Sequence, residues 1–150
     1  MKKIVIISLV FILNPGFSIA SSVSGCVRVV NADVENLFVR WNETLKSGDA
    51  NKVNGNYLTD AVLLPTLSNK IRVSDSERID YFNYFLKRKP VGKVNNRKIL
   101  LGCDSAVDTG DYTFIFSDHS SVSARYTFTY AWDGNDWKIS SHHSSKMPEG

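Results

Sequence analysis

The sequence predicts an α+β fold: a cone-shaped roll in which one curved antiparallel sheet wraps around N-terminal helices. Two observations carry this. The apolar period is helical up to Pro90 and becomes two from Val91 onward. The second half then holds four long alternating segments separated by short turn signals, a meander rather than strands interleaved with helices. At 150 residues the chain is the size of one domain.

Residues 1–20 read as a secretory signal. Lys2 and Lys3 supply the charged start, Ile4 to Leu13 the apolar stretch, and Ser18-Ile19-Ala20 a small-x-small cleavage site. The apolar stretch is too short to stay in a bilayer, and nothing after it is long enough to span one. A periplasmic or secreted protein is expected. Val23-Ser24-Gly25-Cys26 also loosely fits a lipoprotein box, so anchoring through Cys26 is the alternative. Residues 21–32 form an N-terminal extension, tied down by a disulfide between Cys26 and Cys103. An oxidising compartment favours that pairing, and no third cysteine competes; two free thiols are the alternative.

The domain proper is expected over residues 33–149. Val34, Leu37, Phe38, Trp41 and Leu45 lie on one face of a helix over 31–46, which Ser47-Gly48 ends. Asp49 caps a second, short helix running to about Tyr57. Ala61 to Leu64 is a short strand stopped by Pro65. Ser74-x-x-Glu77 is a capping box. The helix it opens is expected to bury Ile79, Phe82 and Leu86, with Phe85 at the edge. Lys87, Arg88 and Lys89 suit the negative end of its dipole, and Pro90 stops it. Strands follow at about 93–101, 105–116, 121–132 and 136–144, with turns at Asp118-His119-Ser120 and Asp133-Gly134-Asn135. The open end of such a cone is a natural ligand pocket.

Composition narrows the function. Apolar residues make up 43% and charged residues 22%, which is ordinary globular usage and not that of a disordered chain. Without Lys2 and Lys3, 16 basic residues face 15 acidic ones, too even a balance for nucleic-acid binding. His142 and His143 are neighbours on a strand and point to opposite faces, so they cannot share an ion; no metal and no cofactor are expected. One of the two faces the pocket, where it could carry a proton near neutral pH. Asp108 and Asp111 flank Gly110 and read as a bulge or edge, which leaves no buried carboxylate pair for isomerase chemistry. A Gly-x-Ser-x-Gly nucleophile motif is absent. Tyr126, Phe128 and Tyr130 form an aromatic stripe suited to core or subunit interface.

Several strings resemble a known family. They are Leu37-Phe38-x-x-Trp41-Asn42-x-x-Leu45-x-x-Gly48-Asp49, Asp60-Ala61-Val62-Leu63-Leu64-Pro65-Thr66, Arg125-Tyr126-Thr127-Phe128, Trp132-Asp133-Gly134-x-x-Trp137, and the closing His142-His143-Ser144-Ser145-x-Met147-Pro148. Together they are similar to the association domain of calcium/calmodulin-dependent protein kinase II, and especially to its stand-alone exported bacterial relatives. That family lies in the nuclear transport factor 2-like superfamily with SnoaL-type cyclases and ketosteroid isomerases. The resemblance implies self-association through the sheet, as a homodimer or larger ring. It implies no kinase activity, since the chain lacks a Gly-rich phosphate loop and the kinase catalytic motifs.

The kinase hub has an arginine-lined pocket that accepts small carboxylates. Arg125 matches one of those arginines, whereas Tyr112 and Ser144 stand where two others would be. The resemblance therefore implies a mixed pocket of Arg125, Tyr112, His142 and Ser144. The expected function is an exported, self-associating domain that holds a small organic acid. The alternative is a SnoaL-like or isomerase-like enzyme using a pocket histidine as acid and base.

Overall fold

The computed structural model describes residues 25–148; the expected signal segment lies outside the described residues. The elements run α1 (Asn31–Lys46), α2 (Ala50–Asn54), β1 (Tyr57–Leu64), α3 (Asp75–Phe85), a 3-10 turn (Leu86–Arg88), β2 (Val91–Leu101), β3 (Ser105–Ile115), β4 (Ser121–Trp132) and β5 (Trp137–Lys146). The sheet order is β1-β5-β4-β3-β2. The last four strands are the antiparallel meander, and β1 adds to its far edge parallel to β5.

Helix α1 forms the axis of the roll. Its five expected apolar side chains are all buried. Asn42 spends its amide on the Gly92 backbone, accepting from N–H at 2.8 Å and donating to C=O at 2.9 Å, and so pins α1 to β2. Phe38 and Trp41 pack against Phe128, and Phe38 also meets Tyr126. The aromatic stripe of β4 is therefore core.

Two bulges set which side chains face inward. Asn95 is an extra residue on β2, between the pairs Val94↔Tyr112 and Asn96↔Asp111. Asp111 staples it, accepting from the side-chain amides of Asn95 and Asn96. Gly110 lies opposite, and a Cβ there would stand 2.0 Å from the Asn96 carbonyl oxygen, so only glycine fits. The bulge expected around Gly110 thus falls on the facing strand. Ser140 is the second extra residue, between Tyr130↔Ile139 and Thr129↔Ser141. It shifts the phase of β5, so that Trp137 and Ile139 before it, and His142 and Ser144 after it, are all buried.

The structure corrects the sequence reading in three places. α2 ends at Asn54 rather than near Tyr57, because Tyr57 already pairs with Ile139 of β5. β1 is longer than Ala61 to Leu64 because its irregular middle is satisfied by a side chain that apolar patterning cannot see. Arg78, with no exposed surface, donates to the carbonyls of Leu58, Thr59 and Ala61 and to Asn54 and Asp75. α3 consequently buries Arg78, Tyr81, Phe82 and Phe85, while Ile79 is only partly covered.

A disulfide joins Cys26 to Cys103 with a Cα–Cα distance of 5.3 Å. Beside it the Asp104 carboxylate accepts from the Val27 N–H at 2.7 Å, and Val29 enters the core. Among the described residues no helix is long and apolar enough to cross a membrane.

Candidate functional site

A cavity lies between α1, α3, the segment after β1, and the inner face of β3 and β5. Its empty space is about 360 Å³. That space includes its mouth toward solvent, and its enclosed part is narrow. Leu63, Pro65, Phe82, Phe85, Phe114 and Phe116 make most of the wall apolar. Polar groups gather at one end. Tyr112 comes inward from β3, His142 and Ser144 come from β5 beyond the Ser140 bulge, and Thr66 follows the β1-ending Pro65.

These groups are linked. The Tyr112 hydroxyl donates to Ser144 Oγ at 2.6 Å and stands 3.4 Å from His142 Nε2. Thr66 Oγ1 and Ser144 Oγ are hydrogen-bonded to each other. Behind them, Tyr57 meets His142 Nδ1 at 2.9 Å, and Trp41 Nε1 donates to the Tyr57 hydroxyl at 3.1 Å. The His142 ring stacks on Phe128 with centroids 3.9 Å apart.

Burial decides the protonation state of the cluster. Loss of water around His142, helped by the neighbouring charge of His143, depresses its pKa to about 3. Burial pushes the Tyr57 and Tyr112 hydroxyls up, so both remain protonated. The site is therefore neutral and rich in hydroxyl donors. His142 is too weak a base to carry protons near neutral pH, contrary to the sequence expectation; desolvation is the reason.

Of the expected site residues, Tyr112, His142 and Ser144 come together and Arg125 does not join them. Arg125 pairs in register with Asp111 and Ser145 on the outer face of the sheet, one position out of phase with the buried Ala124 and Tyr126. It borders a broad, open hollow there with Lys98, Thr109, Thr127, His143 and Ser145. His143 thus faces out and His142 in.

Trp41, Tyr57 and Thr66 also belong to the cluster, and the sequence does not point to them: Trp41 reads as core, Tyr57 as a helix end, and Thr66 as the residue after a strand-ending proline. Asp108 differs from the bulge or edge residue the sequence suggests: it is fully buried on the inner face, bonded by Arg97 at 2.7 Å and by the Tyr126 hydroxyl at 2.9 Å. Burial lifts its carboxyl above the usual range, against the pull of Tyr126 and Arg97. It does not line the cavity. Among the described residues, the group of His, Cys, Asp or Glu close enough to share an ion is Cys26, Cys103 and Asp104, and its two sulfurs are bonded to each other.

The family model of the calcium/calmodulin dependent protein kinase II association domain matches residues 30–148. The chain belongs to this family. A candidate association domain of the same description from Xanthomonas campestris is 46% identical, with a TM-score of 0.75 over 79% of this chain and 88% of that one. Two more distant structures share the fold alone. The iota-carbonic anhydrase of a cyanobacterium, complexed with bicarbonate, is 16% identical with a TM-score of 0.73 over 82% of this chain and 95% of that one. A nuclear transport factor 2-like protein of Pseudomonas putida KT2440, of unknown function, is 15% identical with a TM-score of 0.69 over 79% and 87%. No curated protein matches the sequence.

Proposed function

We propose that the protein is an exported, self-associating association domain whose inner cavity binds a carbonate-sized ligand, bicarbonate or a short carboxylate. One observation carries this: the hydroxyls of Tyr112, Ser144 and Thr66 converge beside a neutral imidazole at the end of a narrow apolar cavity. Hydroxyl donors without a competing carboxylate suit the lone pairs of a small oxyacid. The width excludes a steroid-sized substrate. Arg125 serves the outer face in this reading, where subunits meet. The family description supports self-association, and the Cys26–Cys103 bond supports an oxidising compartment. A lipid on Cys26 would require that bond to be open.

The apolar walls favour a second reading of the same site. Carbon dioxide is small, linear and uncharged, so it suits the apolar part of the cavity, while bicarbonate suits the hydroxyl end. The fold shared with a bicarbonate-bound carbonic anhydrase supports the same idea. Water would add to the carbon, and the released proton would pass to solvent, since His142 cannot hold it at neutral pH.

The test is a 13C NMR titration with labelled bicarbonate, acetate and cyclohexanecarboxylate. Bicarbonate and acetate should broaden on adding protein and the bulky acid should not. Tyr112→Phe and Ser144→Ala should each weaken binding about tenfold, the worth of one hydrogen bond. Failure of both small ligands to bind would overturn the reading. Exchange of 18O from labelled bicarbonate, faster than buffer alone, would establish the second reading; exchange at the buffer rate would dismiss it.

A further inference from the structure

Tyr57 does not line the cavity, yet its hydroxyl touches the imidazole that does. The direction of each bond around it follows from donor chemistry. Trp41 Nε1 has a hydrogen and no lone pair, so it donates to the Tyr57 oxygen. The Tyr57 hydroxyl hydrogen then needs an acceptor. Among the described residues the one in reach is His142 Nδ1, at 2.9 Å. The opposite arrangement, with Nδ1–H donating to Tyr57, would leave the phenol hydrogen buried without an acceptor, which folded proteins avoid.

The chain of bonds continues to the cavity. A neutral imidazole carries one ring hydrogen. With Nδ1 accepting, that hydrogen sits on Nε2, which faces the Tyr112 oxygen at 3.4 Å. Tyr112 in turn donates to Ser144. Ser144 and Thr66 share one bond between two hydroxyls. One hydrogen makes that bond, and the other is left for whatever occupies the cavity.

We infer that Tyr57 is a positioning residue: backed by Trp41, its hydroxyl fixes His142 as the Nε2–H tautomer, so that every hydrogen bond points toward the cavity and the site ends in a donor. The site therefore selects ligands that present oxygen lone pairs and rejects ammonium or amine donors of the same size. This consequence rests on the ligand site proposed above; the tautomer itself does not.

The experiment is a long-range 15N–1H correlation spectrum of the 15N-histidine-labelled protein at pH 7, for the wild type and Tyr57→Phe, with labelled bicarbonate and ammonium titrated into each. The wild type should show His142 Nδ1 with the strongly deshielded shift of an unprotonated nitrogen and Nε2 with that of a protonated one. Tyr57→Phe keeps the ring volume, and it should move Nδ1 toward the protonated shift and weaken bicarbonate about tenfold, the worth of one hydrogen bond. A protonated Nδ1 in the wild type would overturn the inference without any variant. So would an unchanged tautomer in Tyr57→Phe. If the tautomer behaves as expected but bicarbonate does not bind the wild type, the ligand reading fails and the positioning role stands.

Discussion

Replacing Arg78 with methionine should be among the most damaging single substitutions in the described fold. The guanidinium is completely buried, and five oxygen acceptors depend on it: Asn54 Oδ1, Asp75 Oδ1 and the carbonyls of Leu58, Thr59 and Ala61. Its pairing with Asp75 contributes little, because that carboxylate is 48% exposed and screened by water. The carbonyls matter more. They belong to the irregular stretch of β1 between the Tyr57 and Val62 pairings, where the β5 ladder is interrupted. Methionine fills the aliphatic space but leaves the buried Ala61 carbonyl without its donor, and the part-buried Leu58 and Thr59 carbonyls with water alone. A buried acceptor left without a donor costs about 1–3 kcal/mol, and the part-buried ones less. The loss should appear in urea unfolding as a lower midpoint at unchanged slope. Because Arg78 also lies over the Tyr57 ring at 5.7 Å, the same variant should disturb the hydrogen bond to His142. Asp75→Asn should cost less than about 1 kcal/mol. A loss below about 1 kcal/mol for Arg78→Met would refute the reasoning, since it would mean that water or neighbouring donors satisfy β1 equally well.

Other predictions follow from the same geometry. Cys103→Ser should destabilise the exported protein by up to about 4.5 kcal/mol, the chain-entropy figure for a 77-residue separation, measured by denaturation of oxidised protein. His142 refuses in the folded state, until about pH 3, a proton that the unfolded chain takes up below 6.5. Its contribution is therefore complete above pH 6.5 and falls as the pH drops toward 3. Between pH 7 and pH 5 the wild type should lose about 2 kcal/mol more than His142→Gln, read from urea midpoints at the two pH values. Arg125→Ala should change bicarbonate affinity less than about twofold, because its side chain lies across the sheet from the cavity; a loss comparable with that of Tyr112→Phe would show that it reaches the ligand.

The sequence already contained most of the fold. The helical spacing from Val34 to Leu45 and the change of period after Pro90 are direct records of what is buried. The site was half legible. Tyr112, His142 and Ser144 could be singled out, but strand parity alone could not say which face was inside. Two bulges, at Asn95 and Ser140, reset that parity locally, and neither Asn nor Ser announces a bulge in a sequence. Arg125 shows the ambiguity of face without any bulge, since the regular pairing of β3, β4 and β5 puts it on the opposite side of the sheet from Tyr112, His142 and Ser144. Arg78 shows the other limit. A buried cation satisfied by backbone carbonyls looks like a solvated helix residue until the carbonyls are seen. Tyr57 and Thr66 carried no signal because their roles arise from bonds to residues about 80 positions away.

The most direct test of the account is a crystal structure of the exported protein soaked in bicarbonate. The account predicts a planar, carbonate-sized molecule in the cavity, with an oxygen within hydrogen-bond distance of the Ser144 or Thr66 hydroxyl and next to Tyr112. A cavity holding only water, with bicarbonate bound elsewhere or not at all, would contradict it.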